Sequence, residues 1–441
     1  MDSWLRSMVS PQYSLEPVQR VLSKSWRSTP LAKRAFILVE GHRTIGHLYV
    51  KEARRLGLYP ITLSADPAQY AYLAAEGTEV IPVATDNVQA LLHECSLLRS
   101  THEIAGITGF SGLDESIYVT VGELCRHFGL PGPDPASIDR CNDKFNQRQL
   151  LEKADIPMPA YRLAMDAEEV EYAAAEIGLP VVLKPAEGSG SSGVRLCRDV
   201  AEVAAHTSYL LGGGHTWRST PRILVEEFAR GTFFSVNLMG SEVVAIGASE
   251  FGPPPNFVFH ETVFPAPMTD EEYNRVVDLS VRCLEGLGLG WGPTNVEFRW
   301  TKEGPVVIEV NPRLAGGASP RLVQLSCGIN LIREHIKVVI GQEWDLRSGH
   351  SCTAIVRHLV PDSDGILDWI SGGSRAAAIQ GVADVKFHIK PKERIIRRGD
   401  YTDTLGHVIA ASPNLALTQE ILQRAVDEVT WSITPFRTHE E

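Results

Sequence analysis

The chain has 441 residues, 44% apolar and 22% charged, an ordinary globular composition with room for two to four domains and their cores. A count of 42 basic against 54 acidic residues gives a formal net charge of −12, which argues against nucleic acid as the main partner. The seven cysteines (Cys95, Cys125, Cys141, Cys197, Cys283, Cys327, Cys352) form no Cys-x-x-Cys pair and no His–Cys cluster, so neither a zinc site nor a disulfide framework is expected.

Met1 to Pro30 reads as a polar leader, with Trp4, Arg6, Arg20 and Arg27 spread through it and no apolar core of signal-peptide length. No apolar run is long enough to span a bilayer, so the expectation is a cytoplasmic protein with no membrane partner. Ala35–Val39 predicts a buried strand, Gly46–Leu56 a helix and Pro60–Ser64 the next strand. Helical spacing over Tyr70–Glu76, Val88–Leu98 and Tyr118–Phe128 alternates with strand-like runs at Glu79–Val83 and Ile104–Thr108. Such alternation predicts a parallel, doubly wound α/β unit. Its first turn, Glu40-Gly-His-Arg-Thr-Ile-Gly46, lacks the dinucleotide fingerprint, so no NAD is placed there.

Gly129-Leu-Pro-Gly-Pro-Asp-Pro135 punctuates the chain as a boundary. Beyond it, helices are expected over Asp143–Ala154, Glu168–Ile177 and Asp270–Leu287, and one from Arg321 into Ile340. Strands are expected at Pro180–Pro185, Val194–Cys197, Ile223–Phe228, Phe234–Leu238 and Val243–Gly247. Short strands and a last helix, Thr418–Val429, follow Gly341.

Two segments carry the chemistry. Lys184-Pro-Ala-Glu-Gly-Ser-Gly-Ser-Ser-Gly-Val194 satisfies the spacing of a dinucleotide fingerprint but leads into a strand, so a Rossmann reading fails. Its Gly190, Ser191, Ser192 and Gly193 instead suit a flap whose N–H and hydroxyl groups close over phosphates, with Lys184 as a point charge at its entrance. The second segment is Val307-Ile-Glu-Val-Asn-Pro-Arg313, preceded by Thr294-Asn-Val-Glu-Phe-Arg299. Strand alternation puts Glu309, Asn311 and Arg313 on one face, and Asn295, Glu297 and Arg299 on one face of the strand before. Carboxylate and amide oxygens in that arrangement suit Mg²⁺ shared with substrate phosphates. The plainer alternative, a solvated hairpin with alternating charges, stays open, although Val306, Val307, Ile308 and Val310 read as buried.

The succession Lys144, Lys184 with its flap, Glu226-Glu-Phe-Ala229, Glu297, then Glu309-x-Asn311-x-Arg313 resembles the ATP-grasp superfamily of carboxylate–amine ligases over about Asp134 to Gln342. The resemblance implies an α/β (α+β) ATP-grasp fold. An N-terminal Rossmann-like parallel domain would span 1–133 with a leader over 1–33, the ATP-grasp region 134–345, and a smaller C-terminal α+β domain 346–441. It implies ATP with Mg²⁺ (Mn²⁺ as an alternative) as cofactors. Lys144 and Lys184 would meet the phosphates, and the backbone of Glu226, Glu227, Phe228 and Ala229 would read the adenine. Glu297, Glu309 and Asn311 would be metal ligands, with Arg313 on the phosphoryl group or acyl phosphate. One departure stands out: Gly231-Thr-Phe-Phe-Ser235 carries Phe233 where many relatives have a ribose-binding glutamate.

Asn311-Pro-Arg-Leu-Ala-Gly-Gly317, followed by Gly328-Ile-Asn330, is most similar to the L-amino-acid ligases, which include dipeptide synthetases and ligases of peptide-antibiotic pathways. Gly316 and Gly317 would let backbone amides approach a carboxylate or tetrahedral intermediate. In the Pro-rich, aromatic loop from Pro253, His260 or Glu261 would orient an amine at a covered substrate pocket. The expectation is thus an enzyme joining small-molecule carboxylate and amine substrates, as a homodimer. The alternatives are another ATP-grasp ligase, of biotin-carboxylase or purine-biosynthetic type, or a nucleotide-binding protein without turnover.

Overall fold

The computed structural model describes residues 33–110, 116–215, 217, 220–347, 349 and 351–436; the leader read over 1–33 lies outside them except for Lys33. The chain opens with β1 (Lys33–Val39), α1 (Gly46–Arg55), β2 (Tyr59–Ser64), α2 (Ala71–Ala75), β3 (Glu79–Pro82), α3 (Val88–Arg99), β4 (His102–Gly109) and α4 (Ser116–Phe128). Its strands lie in the order β3-β2-β1-β4, all parallel. β1 is buried on both faces, with Ala35, Ile37 and Val39 against Leu91, Cys95 and Val121, and Phe36 and Leu38 against Tyr49 and Val50. An unbroken apolar run is what a parallel sheet covered by helices requires. Strand order reverses between β1 and β4, the place where such sheets open a crevice. The turn after β1 stands there. Glu40, at φ 65, is anchored in it by hydrogen bonds from Ser64 Oγ, Ala65 N, Tyr70 OH and Thr85 Oγ1.

Next come α5 (Pro135–Asn142), α6 (Lys144–Lys153), β5 (Tyr161–Ala164), α7 (Ala167–Ile177), β6 (Val181–Pro185), β7 (Arg195–Cys197), α8 (Val200–Tyr209) and β8 (Ile223–Glu227). Asp134, Asp143, Asp166 and Asp199 cap the four helices, each carboxylate accepting N–H bonds from the first turn. The strands form an antiparallel sheet, β5-β8-β6-β7, whose apolar side packs on α7 and α8.

The rest of the chain runs β9 (Thr232–Met239), β10 (Glu242–Phe251), β11 (Phe259–Phe264), α9 (Asp270–Leu287), β12 (Pro293–Thr301), β13 (Gly304–Asn311), α10 (Ser319–Cys327) and α11 (Leu331–Val339). It ends with β14 (Thr353–Leu359), β15 (Gly365–Ser371), α12 (Gly373–Ala377), β16 (Val382–Phe387), β17 (Arg394–Ile395), β18 (Gly406–Ser412), α13 (Leu415–Asp427) and β19 (Thr430–Pro435). Eight strands make one antiparallel sheet, β13-β12-β9-β10-β11-β14-β18-β16, and β17-β15-β19 a small one. Because β11 pairs with β14, the large sheet runs unbroken across residue 345. One apolar core joins Phe36, Tyr49 and Val50 of the first unit to Leu322, Ile332 and Ile336 of α10 and α11 and to Val356 of β14.

Three features depart from the sequence reading. The helix expected from Arg321 to Ile340 is two helices, parted at Gly328 (φ 79), a conformation that glycine adopts without strain. His260 and Glu261, expected in a covering loop, lie on β11, where the β-branched and aromatic run Phe259–Phe264 finds partners on both sides. The elements α5, β5 and α8 were not expected; β5 has only four residues, and Pro135 hid the start of α5. Among the described residues no helix is long and apolar enough to cross a membrane.

Candidate active site

The centre is the β12–β13 pair. Glu297 stands directly opposite Glu309 and Asn295 opposite Asn311; a bulge follows at Glu297/Phe298. Burial, and then the charge of Glu309, push the Glu297 carboxyl up to about 8. Burial would also raise Glu309, but Lys144 and Lys184 outweigh it and hold that carboxyl below the usual range. At neutral pH the pair therefore keeps one proton. A divalent cation fits such a donor set, since it would compensate two half-buried, directly opposed carboxylates.

Helix α6 supplies two of the cations, and β6 the third. Its N-terminus is tied to the strand end of β6, with Lys144 N donating to Ala186 O at 2.8 Å. Lys144 Nζ is 3.1 Å from Glu309 Oε1 and donates to Gly188 O at 2.5 Å. One turn on, Gln147 clamps Val310 at both N–H and C=O (2.9 and 2.8 Å), so the helix docks on β13 like a strand edge. Arg148, fully buried, donates to Glu226 Oε1 at 2.7 Å and to Ile308 O at 2.5 Å. Lys184 Nζ reaches the other oxygen, Glu226 Oε2, at 2.5 Å. Burial pushes the Lys184 ammonium down, partly offset by Glu226. Glu226, despite its burial, is held low by Arg148 and Lys184. Arg148 escaped the sequence reading, although its place four residues after Lys144 puts both on one helix face.

The flap between β6 and β7 turns through Gly188 (φ 115), Gly190 (φ 68), Ser191 (φ 62) and Gly193 (φ 72). His206 Nε2 lies 2.8 Å from Gly193 O, and Tyr401 N donates to Gly190 O at 3.2 Å, so the flap rests on the loop between β17 and β18. At the end of β8, Glu226 is buried, Glu227 is exposed, donates its N–H to Ala160 O and accepts from Ala160 N at its Oε2, and Phe228 N faces Pro180 O at 3.4 Å, with Ala229 buried beyond. The Arg299 guanidinium does not face the acids. It sits among the rings of Phe228, Phe233, Phe251 and Phe257 at 5.4 to 5.8 Å and donates to Gly231 O at 2.9 Å. Phe233 is thus one wall of a cation–π box.

A cavity of about 3080 Å³ opens beside these groups. Gly190, Ser192, Gly193, Glu297, Arg313, Gly316, Gly317 and His260 line it, whereas Lys144, Lys184, Glu226, Glu309, Asn311, Ser191 and Glu261 do not. Glu261 accepts from Arg357 Nε at 2.8 Å on the neighbouring strand. Arg313 Nη2 leans on Asn311 Oδ1 at 3.4 Å. Where Gly316 and Gly317 (φ 60) follow, the space in front of each Cα is open. His42, from the turn after β1, faces the same cavity; burial, and then the charge of Arg313, push its imidazole down to about 4.

Buried lysines behind a glycine–serine flap, opposed carboxylates and an arginine beyond them define an ATP-dependent ligase of the ATP-grasp class. Residues 141–317 match the ATP-grasp domain family, and residues 357–434 match the L-amino acid ligase C-terminal domain 2. The chain thus carries an ATP-grasp domain followed by an L-amino acid ligase C-terminal domain, the pairing of an ATP-grasp carboxylate–amine ligase. It is 56% identical to an uncharacterized protein of Sinorhizobium fredii, over 92% of this chain and 84% of that one. It is 28% identical to carnosine synthase 1 of Mus musculus over 90% of its length, spanning 51% of that larger protein. The L-amino acid ligase of Bacillus licheniformis shares the fold, with a TM-score of 0.75 at 18% identity over 91% of this chain and 99% of that one.

Proposed function

We propose that this ligase activates the carboxylate of an amino acid, or of an amino-acid derivative, as an acyl phosphate. It then joins the acyl group to an amine, often that of a second amino acid, with release of ADP and phosphate. The observation that carries the reading is the opposed Glu297–Glu309 pair, flanked by Lys144 and Lys184, with Arg313 on the cavity side. The match of residues 357–434 to an L-amino acid ligase domain supports the substrate class.

A carboxylate is a poor electrophile because its oxygen cannot leave; esterified to phosphate, it departs as a stable anion. Lys184 and Lys144 exchange their present carboxylate partners for the nucleotide phosphates, and the flap N–H groups close over them. Glu297, Glu309 and Asn311 would hold Mg²⁺, which when bound would help neutralise the charge of the transferring phosphoryl group. Arg313 grips two oxygens of the acyl phosphate, and the Gly316 and Gly317 amides face the developing oxyanion. The backbone from Glu226 to Ala229 would read the adenine, with the ribose meeting the Phe233–Arg299 box in place of a carboxylate. His260 reaches the amine side of the cavity. Catalysis is mainly positioning, so no covalent nucleophile is required.

ATP, Mg²⁺ and single carboxylates are to be incubated with hydroxylamine, which traps acyl phosphates as hydroxamates. Hydroxamate should form without any other amine, and pairs of amino acids should release phosphate with a matching amide mass. An adenylated product in place of hydroxamate would overturn the acyl-phosphate route. The homodimer follows from the resemblance alone; light scattering on the purified chain tests it.

A further inference from the structure

One end of the large sheet carries a row of imidazoles. His260 on β11, His358 on β14, His407 on β18 and His388 just past β16 come from consecutive strands, and all line the cavity that holds Glu297, Arg313 and Gly316. His358 and His407 are direct cross-strand partners, with ring centres 6.5 Å apart. His407 Nε2 lies 3.1 Å from Asp384 Oδ2, and its Nδ1 lies 3.3 Å from His388 Nε2.

Bonding chemistry assigns the protons. A carboxylate only accepts, so His407 Nε2 carries hydrogen, and in the neutral ring that the relay requires its Nδ1 is a lone pair. His388 must then donate from Nε2, which leaves His388 Nδ1 as an open acceptor at the cavity rim. The surrounding charges are mixed: Lys386 on β16 and Arg321 on α10 act on Asp384, and Lys386 also acts on His47 of α1. Burial, then the neighbouring imidazoles, push His358 down to about 4, and burial, then His407 and Lys386, push His388 down to about 4, so those two rings are uncharged at neutral pH. Among the described residues no three His, Cys, Asp or Glu side chains converge as metal ligands.

Amide formation leaves one requirement that the phosphate-handling residues do not meet. An amino acid arrives as an ammonium, and the nitrogen has no lone pair until a proton leaves. We propose, resting on the ligase reading above, that His388, His407 and Asp384 form the proton relay that frees the attacking amine. His388 Nδ1 takes one proton from R–NH₃⁺, His388 Nε2 passes its own to His407 Nδ1, and Asp384 holds the resulting imidazolium. The freed nitrogen attacks the acyl carbon, the C–O bond to phosphate breaks, and the nitrogen's remaining surplus proton leaves with the phosphate. His388 is the catalytic residue of this set; His407 and Asp384 act through it.

Hydroxylamine separates this role from a structural one, because it is largely unprotonated at neutral pH and needs no base. The enzyme is given ATP, Mg²⁺ and a mixture of the twenty standard L-amino acids, with or without hydroxylamine, and amides and hydroxamates are read by mass spectrometry. His407→Gln and Asp384→Asn should each lower amide formation about a hundredfold while lowering hydroxamate no more than about threefold. Parallel losses of both products, or no loss of amide, would overturn the relay. Should His407→Gln not fold, His388→Asn at the exposed rim carries the same comparison. If wild-type enzyme yields no hydroxamate with any amino acid, the ligase reading itself falls, and the relay with it.

Discussion

Lys184 has 4% exposure; burial pushes its ammonium down, and the Glu226 carboxylate 2.5 Å away partly offsets this. Replacing it with Met keeps the stem and deletes the charge, so nucleotide affinity and turnover should both fall. The same change at exposed Lys51, paired with Glu76 at 3.2 Å, should leave both near wild type. Isothermal titration with ATP and an ADP-release assay compare the two, and equal effects would refute the phosphate role. Glu309→Gln removes a proposed metal ligand and the partner of Lys144. ADP formation should drop at least about a hundredfold with an unchanged circular dichroism spectrum, the scale of a lost transition-state charge contact. At this scale the sequence was readable where chemistry and spacing coincide, as in Glu297 and Glu309. It was silent on Arg148, whose partner Glu226 is 78 residues away, and on Arg299, whose four aromatic neighbours meet only in the fold.

Elements were legible where their period was strong. α9 has the expected bounds, fixed by a Thr269–Glu272 capping box and by Gly288 at φ 67. β1 was plain because both its faces are apolar. What stayed hidden was short or interrupted: the four residues of β5, and the break at Gly328. The flap is the element on which the site most depends. Gly190 holds φ 68, and a Cβ there would come within 2.3 Å of the Tyr401 ring. Gly190→Ala should weaken ATP binding about tenfold, the cost of one strained left-handed residue. Tyr401→Ala in the same chain should recover part of the loss, as it relieves the clash but not the φ strain. Titration calorimetry on the three variants tests this.

For the whole molecule, the sequence foretold a parallel unit followed by antiparallel sheets, but not that one core would bind the first unit to α10, α11 and β14. His335 lies in that seam, its Nδ1 2.5 Å from Tyr49 OH, and burial pushes it down to about 3. In the unfolded chain it titrates near its ordinary value of about 6.5. Between these values the unfolded state binds a proton that the folded state refuses, so stability is full above about pH 6.5 and declines as pH falls towards 3. The slope from this one group approaches about 1.4 kcal/mol per pH unit. Urea midpoints measured from pH 7 to pH 5 should fall less steeply in His335→Gln than in wild type.

The bond from Tyr401 N–H to Gly190 O has a kinetic corollary. The loop that carries Tyr401 also brings Arg397, Asp400 and Asp403 to the cavity wall, so the flap proposed to cover the nucleotide and this part of the cavity rim are joined as one latch. To admit the bulkier ATP that latch must release, whereas the smaller amino acids are expected to reach the cavity after it re-engages. Addition should therefore be ordered, with ATP first. In initial-rate studies ADP should compete with ATP but give mixed inhibition against either amino acid; ADP competing equally with all three substrates would mean that the two compartments open independently.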